Sequence, residues 1–122
     1  MNQSEILKQR TKKFSLEIIR LFRELPKVEE ARIIGRQLLR SATSVASNYR
    51  AVCRARSKAE FIAKIGIVVE EADETVYWME MIREAEILNS SSNNALLKEA
   101  NEILAIMAAS QLTAKSRLQN RH

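Results

Sequence analysis

The sequence predicts an all-α fold, an up-down-up-down antiparallel four-helix bundle, and three observations carry that prediction. Only 2 glycines and 1 proline punctuate 122 residues, too few for a turn-rich β fold or a glycine-built nucleotide loop. Apolar side chains recur at spacings of three and four through four long stretches. The breaks are short, at Leu25-Pro26, around Ser57 and at Asn89–Asn94, and short links favour antiparallel neighbours. With 46% apolar residues, one domain spanning 1–122 can bury roughly two-thirds of its unfolded surface, which excludes disorder.

The first helix is expected over about 4–25, opening at Ser4 as N-cap. Thr11, Phe14, Ile18, Leu21, Phe22 and Leu25 share its apolar face. Pro26 ends it by pushing Leu25 out of the helical region. The second, over about 29–55, starts where Glu29 and Glu30 favour the positive end of the helix dipole. Ile34, Gly35, Leu38, Ala42, Val45, Ala46, Tyr49, Val52 and Cys53 fall on one face at 100° per residue. Ser57-Lys58-Ala59-Glu60 reads as a capping box before a third helix, over about 58–88. Its core stripe is Phe61, Ile65, Val68, Ala72, Thr75, Met79 and Ile82. Asn89-Ser90-Ser91-Ser92-Asn93-Asn94 reads as a loop with an Asn N-cap. A fourth helix, over about 94–117, places Leu96, Leu97, Ala100, Ile103, Leu104, Met107 and Ala108 inward, and a polar tail from about Lys115 to His122 frays.

The third helix is more apolar than a lone bundle requires. Ile62 and Val69 lie on one flank of its stripe, and Ile67, Trp78 and Ala85 on the other. One reading is a second contact surface for self-association, with Ile62, Ile67, Val69, Glu71, Glu74 and Trp78 at the interface. The other is that this broad helix wraps deeper into its own core.

Catalytic constellations fail on inventory. The one histidine is the last residue, His122, so a His-based general base or zinc site is not expected within one chain. Cys53 lies on the apolar face of helix two and reads as a buried structural thiol. Glu70, Glu71, Asp73 and Glu74 lack the inward Glu-x-x-His pattern of a di-iron bundle and read as a solvated or salt-bridging face. No enzyme activity, metal or cofactor is expected. The single cysteine suits a reducing compartment, residues 1–5 lack a signal peptide's apolar core, and no apolar run approaches the ~20 residues of a membrane span. The expectation is a cytoplasmic protein with no membrane partner.

The formal charge of +5 conceals two opposed segments. Residues 27–58 hold eight basic and two acidic side chains, whereas residues 59–88 hold two basic and eight acidic. Within the basic segment Arg32, Arg36, Arg40, Arg50 and Arg54 gather in one sector of the helix, with Thr43 and Ser47 between them. Guanidinium and hydroxyl donors in a row suit phosphate contacts along a nucleic acid, extended by Lys12, Lys13, Arg20 and Arg23. The same arginines equally suit ion pairing with the acidic face of helix three, within one bundle or between subunits. Aromatic side chains are sparse on the stripe, so backbone or shape recognition is the most that composition supports.

The run Gly35-Arg36-Gln37-Leu38-Leu39-Arg40-Ser41-Ala42-Thr43-Ser44-Val45-Ala46-Ser47-Asn48, preceded by Leu25-Pro26, resembles the four-helix-bundle proteins named after 23S rRNA intervening sequences. Lys58, Phe61, Glu74 and Trp78-Met79 fill the family's later positions. The chain departs from it at Tyr49-Arg50-Ala51-Val52, where the family often reads Ile-x-Glu-Gly, and at Glu70-Glu71, which replace a Gly-Ser pair. The resemblance implies a homopentamer around a central channel without enzymatic activity. A similar bundle is the accessory variability protein of diversity-generating retroelements, a bacterial system in which a basic pentamer binds nucleic acid and a reverse transcriptase. The combined expectation is a non-enzymatic oligomeric accessory protein that grips phosphates through helix two, with ribosomal RNA or a reverse transcriptase as partner. The alternative is a homo-oligomeric scaffold whose basic and acidic faces pair between subunits.

Overall fold

The computed structural model describes residues 1–119 and contains four α-helices: α1 (Gln3–Glu24), α2 (Glu29–Val52), α3 (Lys58–Glu84) and α4 (Ser91–Gln119). Successive helices pack antiparallel, α1 on α2, α2 on α3 and α3 on α4, and a sparser α1–α4 seam closes the ring. At 1.5 Å per residue they run about 33–44 Å, long enough for each to contribute several core layers. The fully buried centre holds Ile18 from α1, Leu38 and Val45 from α2, Ile65, Val68, Met79 and Ile82 from α3, and Ile103 and Met107 from α4. These are the expected stripes. No helix among the described residues is long and apolar enough to cross a membrane.

The ends of the helices differ from the sequence expectation for local reasons. Asn2, not Ser4, caps α1, its Oδ1 accepting the Glu5 amide at 2.9 Å. Leu25 takes the extended ψ of 142° that the following proline imposes. The chain then doubles back so tightly that a Cβ on Gly35 would lie 2.6 Å from Leu25 Cδ1 and 3.2 Å from the Phe22 ring, so α2 approaches the end of α1 through its glycine. Ser57 Oγ accepts the Glu60 amide at 3.0 Å, the forward half of the capping box. The return contact falls one residue early, on the Arg56 amide at 3.1 Å.

Helix α3 stops at Glu84, four residues sooner than its apolar pattern, because a Schellman turn intervenes. Glu86 adopts φ 57°, and the amides of Glu86 and Ile87 donate to the carbonyls of Arg83 and Ile82. Ile87 and Leu88 then pack against the core from the loop. Helix α4 begins at Ser91, earlier than expected, because Ser90 rather than an asparagine caps it, its Oγ accepting the Asn93 amide at 3.1 Å. Asn93 is buried, donates to the Leu88 carbonyl and leaves its own Oδ1 without a partner. At the far end α4 runs through Gln119, so the residues from Lys115 to that point are helical; His122 lies outside the described residues.

Two side-chain placements are corrected. Cys53 is exposed, because α2 ends at Val52 and a projection at 100° per residue loses its meaning beyond the last turn. Ala108 is exposed on α4. Val69 and Trp78, on the flanks of the α3 stripe, are partly buried and pack against the core of their own chain.

Candidate nucleic-acid interface

The centre of α2 is a latch. Arg40 reaches across to α3 and pairs with both Glu71, at 3.2 Å, and Glu74. One residue on, the Ser41 and Thr75 hydroxyls meet at 3.0 Å, both residues being inaccessible to solvent. Ala42, fully buried, lets α1 approach closely enough for Ser15 Oγ to donate to its carbonyl at 3.2 Å. Three consecutive residues thus fix the register of α2 against α3 on one side and α1 on the other. The ion pairs are half-exposed and worth about 0.5–1 kcal/mol, so their weight is geometric more than energetic.

The specific Arg-Ser-Ala run of the sequence therefore has a packing role. A model of the 23S rRNA-intervening sequence protein family matches residues 3–109. The chain belongs to that family. Among solved structures, it is similar to a protein of unknown function from the S23 ribosomal protein family of Bacteroides thetaiotaomicron. The two share 27% identity with a TM-score of 0.81, over 90% of this chain and 98% of that one. No protein of curated function matches.

The latch divides the arginine row of this family member in two. Arg32 and Arg36 stand exposed near the α1–α2 turn with Arg23 and Lys27, around a groove of about 380 Å³. Carboxylates stand close by in sequence, Glu24 before the turn and Glu29 and Glu30 in the first turn of α2. Arg50 and Arg54 stand exposed at the other end. None of these four arginines, three on α2 and Arg54 in the turn beyond its end, makes an ion pair among the described residues, whereas Arg40 makes two. Thr43 and Ser47 lie between, as expected. Their hydroxyls donate to backbone carbonyls one turn back, Thr43 to Leu39 at 2.8 Å and Ser47 to Ser44 at 3.3 Å, and so do not point donors at a ligand.

Around Arg50 the structure adds cations that the helix-two projection does not contain. A groove of about 450 Å³ between α1 and α2 is bordered by Lys8, Lys12 and Arg50, and floored by small side chains including Ser15 and Ala46. On the opposite side of Arg50 a second groove of about 510 Å³ continues past Arg54 and Arg56 to Lys64 on α3. The two carboxylates nearby are already engaged, Glu5 with Lys8 at 3.0 Å and Glu60 with Lys64 at 2.9 Å. Lys64 and the Arg56 amide hold the Glu60 carboxyl below its ordinary range. The signal for this cluster is present in the sequence as the absence of any Asp or Glu from residue 31 to residue 59. What no single-helix projection supplies is that Lys8 and Lys12 of α1 and Arg56 of the turn converge on it.

Of the residues assigned to a subunit interface, Ile67 is exposed at 46% and Ile62 is half-buried. Glu71 and Glu74 are engaged by Arg40 of the same chain. Tyr77, which the α3 pattern did not single out, is 51% exposed, its ring edge-on to Trp78 at a centroid distance of 4.9 Å. Trp78 keeps its indole N–H buried without an acceptor. Glu70 and Asp73 face solvent. Among the described residues no group of three or more His, Cys, Asp or Glu side chains converges as a metal site would require.

Proposed function

We propose that the protein is a non-enzymatic, homo-oligomeric accessory protein that binds the phosphate backbone of nucleic acid through exposed arginines of α2. Ribosomal RNA and a reverse-transcriptase complex are the partners to test first. The observation that carries this reading is that Arg32, Arg36 and Arg50 of α2, and Arg54 just beyond its end, stand exposed without ion-pair partners among the described residues, in a stretch with no carboxylate from residue 31 to residue 59. Leaving four guanidinium groups unpaired while Arg40 is paired suits a surface awaiting an anionic ligand. Membership of a family named for rRNA intervening sequences is consistent with a nucleic-acid context. Thr43 and Ser47, whose hydroxyls donate to their own backbone, leave the phosphate contacts to the arginines.

Fluorescence anisotropy of labelled oligonucleotides across a salt series tests the reading. Neutralising about four phosphates per chain gives a slope of log affinity against log salt near −3.6 on duplex DNA. Absence of binding at low salt refutes it. The scaffold alternative retains Glu70 and Asp73 as free acidic partners for another subunit, while Glu71 and Glu74 are spent inside the chain. Under that alternative, replacing Arg36 and Arg50 with glutamine dissociates the oligomer in light scattering; under the binding reading the assembly persists.

A further inference from the structure

We infer that the phosphate track runs across one end of the bundle, over α1, α2 and the α2–α3 turn, and not along the length of α2. This rests on the nucleic-acid reading above and says where on the molecule the strand lies. Lys12, Arg50, Arg54 and Arg56 form the track, and its ligand class is a phosphodiester backbone read without regard to base.

Charge separates the two ends. At the α1–α2 turn Arg23, Lys27, Arg32 and Arg36 share their neighbourhood in sequence with Glu24, Glu29 and Glu30, leaving a small surplus. At the opposite end both nearby carboxylates are neutralised by lysines, so the four track residues are an uncompensated surplus. Opposed charge at one end and its absence at the other make a large difference in potential over a surface exposed to water.

Shape agrees with charge. The grooves on the two sides of Arg50 share Ser47 and Arg50 as a common wall, so they form one trough interrupted by a single flexible side chain. Its floor carries Ser15, Ala46 and Ala51, whose small volumes allow a sugar-phosphate chain to approach the helices. Neighbouring helix axes lie about 8–10 Å apart, so a path over three helices spans about 20 Å, enough for several successive phosphates. Along α2 itself, Arg40 and its two glutamates stand between the two arginine clusters and place carboxylates beside any strand following the helix axis. Aromatic rings do not serve the track: Tyr49 is buried, and burial, with Cys53 beside it, pushes its hydroxyl up to about 12. Recognition is accordingly indifferent to base identity.

The experiment compares two pairs of exposed substitutions in the full chain, Lys12→Gln/Arg56→Gln and Arg32→Gln/Arg36→Gln, using fluorescein-labelled mixed-sequence RNA and DNA oligonucleotides. The first pair lowers affinity on the order of tenfold and reduces the salt slope by about 1.8, while the second, contacting phosphate only at the edge of the track, lowers affinity by about twofold and reduces the slope by less than about 0.9. Equal losses in the two pairs, or a loss confined to the second, overturn the transverse track while leaving nucleic-acid binding standing. Failure of the wild-type chain to bind at low salt removes both. A second readout uses Cys53, the one thiol of the chain, exposed between Arg50 and Arg54. Bound oligonucleotide slows maleimide labelling of Cys53 in the wild type; an unchanged labelling rate at saturating oligonucleotide overturns the proposal.

Discussion

The contact between Ser41 and Thr75 offers the sharpest test of how α2 and α3 are registered. Both side chains are buried and their hydroxyl oxygens lie 3.0 Å apart. Each also reaches a carbonyl of its own helix, Ser41 that of Leu38 at 3.2 Å and Thr75 that of Glu71 at 2.8 Å. Each hydroxyl has one hydrogen, so the interhelical contact is a single shared hydrogen bond, and removing one partner leaves the other with a local acceptor. Ser41→Ala loses that bond, about 1 kcal/mol, and regains a few tenths in helix propensity. Thr75→Val keeps the shape and costs about 1 kcal/mol for the same bond. The double variant loses the bond only once, so its cost is also about 1 kcal/mol rather than the additive 2, a coupling of about 1 kcal/mol. Urea unfolding followed by circular dichroism, at one fixed protomer concentration and with m unchanged, measures each corner of the cycle. Additivity within about 0.3 kcal/mol refutes the shared bond. A loss above about 3 kcal/mol in either single variant refutes the local fallback, since only an orphaned buried hydroxyl costs that much.

Two further outcomes follow from the ends and seams of the bundle. Glu86→Gly relieves a non-glycine residue at φ 57° in the Schellman turn and raises stability by about 1 kcal/mol, or Tm by roughly 3–6 °C; a lower Tm in calorimetry contradicts that account. At the α1–α4 seam, the Arg10 guanidinium grips Glu99 with two bonds, at 2.8 and 2.6 Å, and holds its carboxyl below the ordinary value of 4.5. A depressed carboxyl contributes its stability fully above its unfolded value and loses it as pH falls through the lower folded value. Glu99→Gln therefore costs about 0.5–1 kcal/mol near pH 7, for a pair that is about a third exposed, and the difference from wild type closes as pH falls below 4.5. A difference that widens in acid contradicts the assignment.

Particular residues show how far the sequence was legible. The stripes from Phe14 to Leu21, Leu38 to Tyr49, Ile65 to Ile82 and Leu96 to Met107 appear in the core as spaced, because helical periodicity is a local property and burial follows it directly. The Arg32, Arg36 and Arg50 side chains are exposed, as their sector implied, and Arg54 is exposed in the turn beyond the end of α2, where a sector no longer applies. Legibility failed where a neighbouring helix decides the outcome. Arg40 looked like its four companions until Glu71 and Glu74 of α3 engaged it. Trp78 and Val69, which spacing places on the flanks of the stripe, also touch the core, a contact that the width of α3 decides. Cys53 fell outside the helix whose face it was assigned to.

The sequence by itself determined four helices, their apolar faces and the opposed charge of α2 and α3, since each follows from residue spacing and composition along one chain. Only the tertiary structure decided which charges remain free. Pairing depends on the register between helices, set here by Gly35 against Leu25 and by Ser41 against Thr75, and on the axial distance that carries Arg40 to its carboxylates. The same register gathers Lys12, Arg50, Arg54 and Arg56 from separate stretches of chain into one exposed surface, because cations distant in sequence become a field only when packing makes them neighbours.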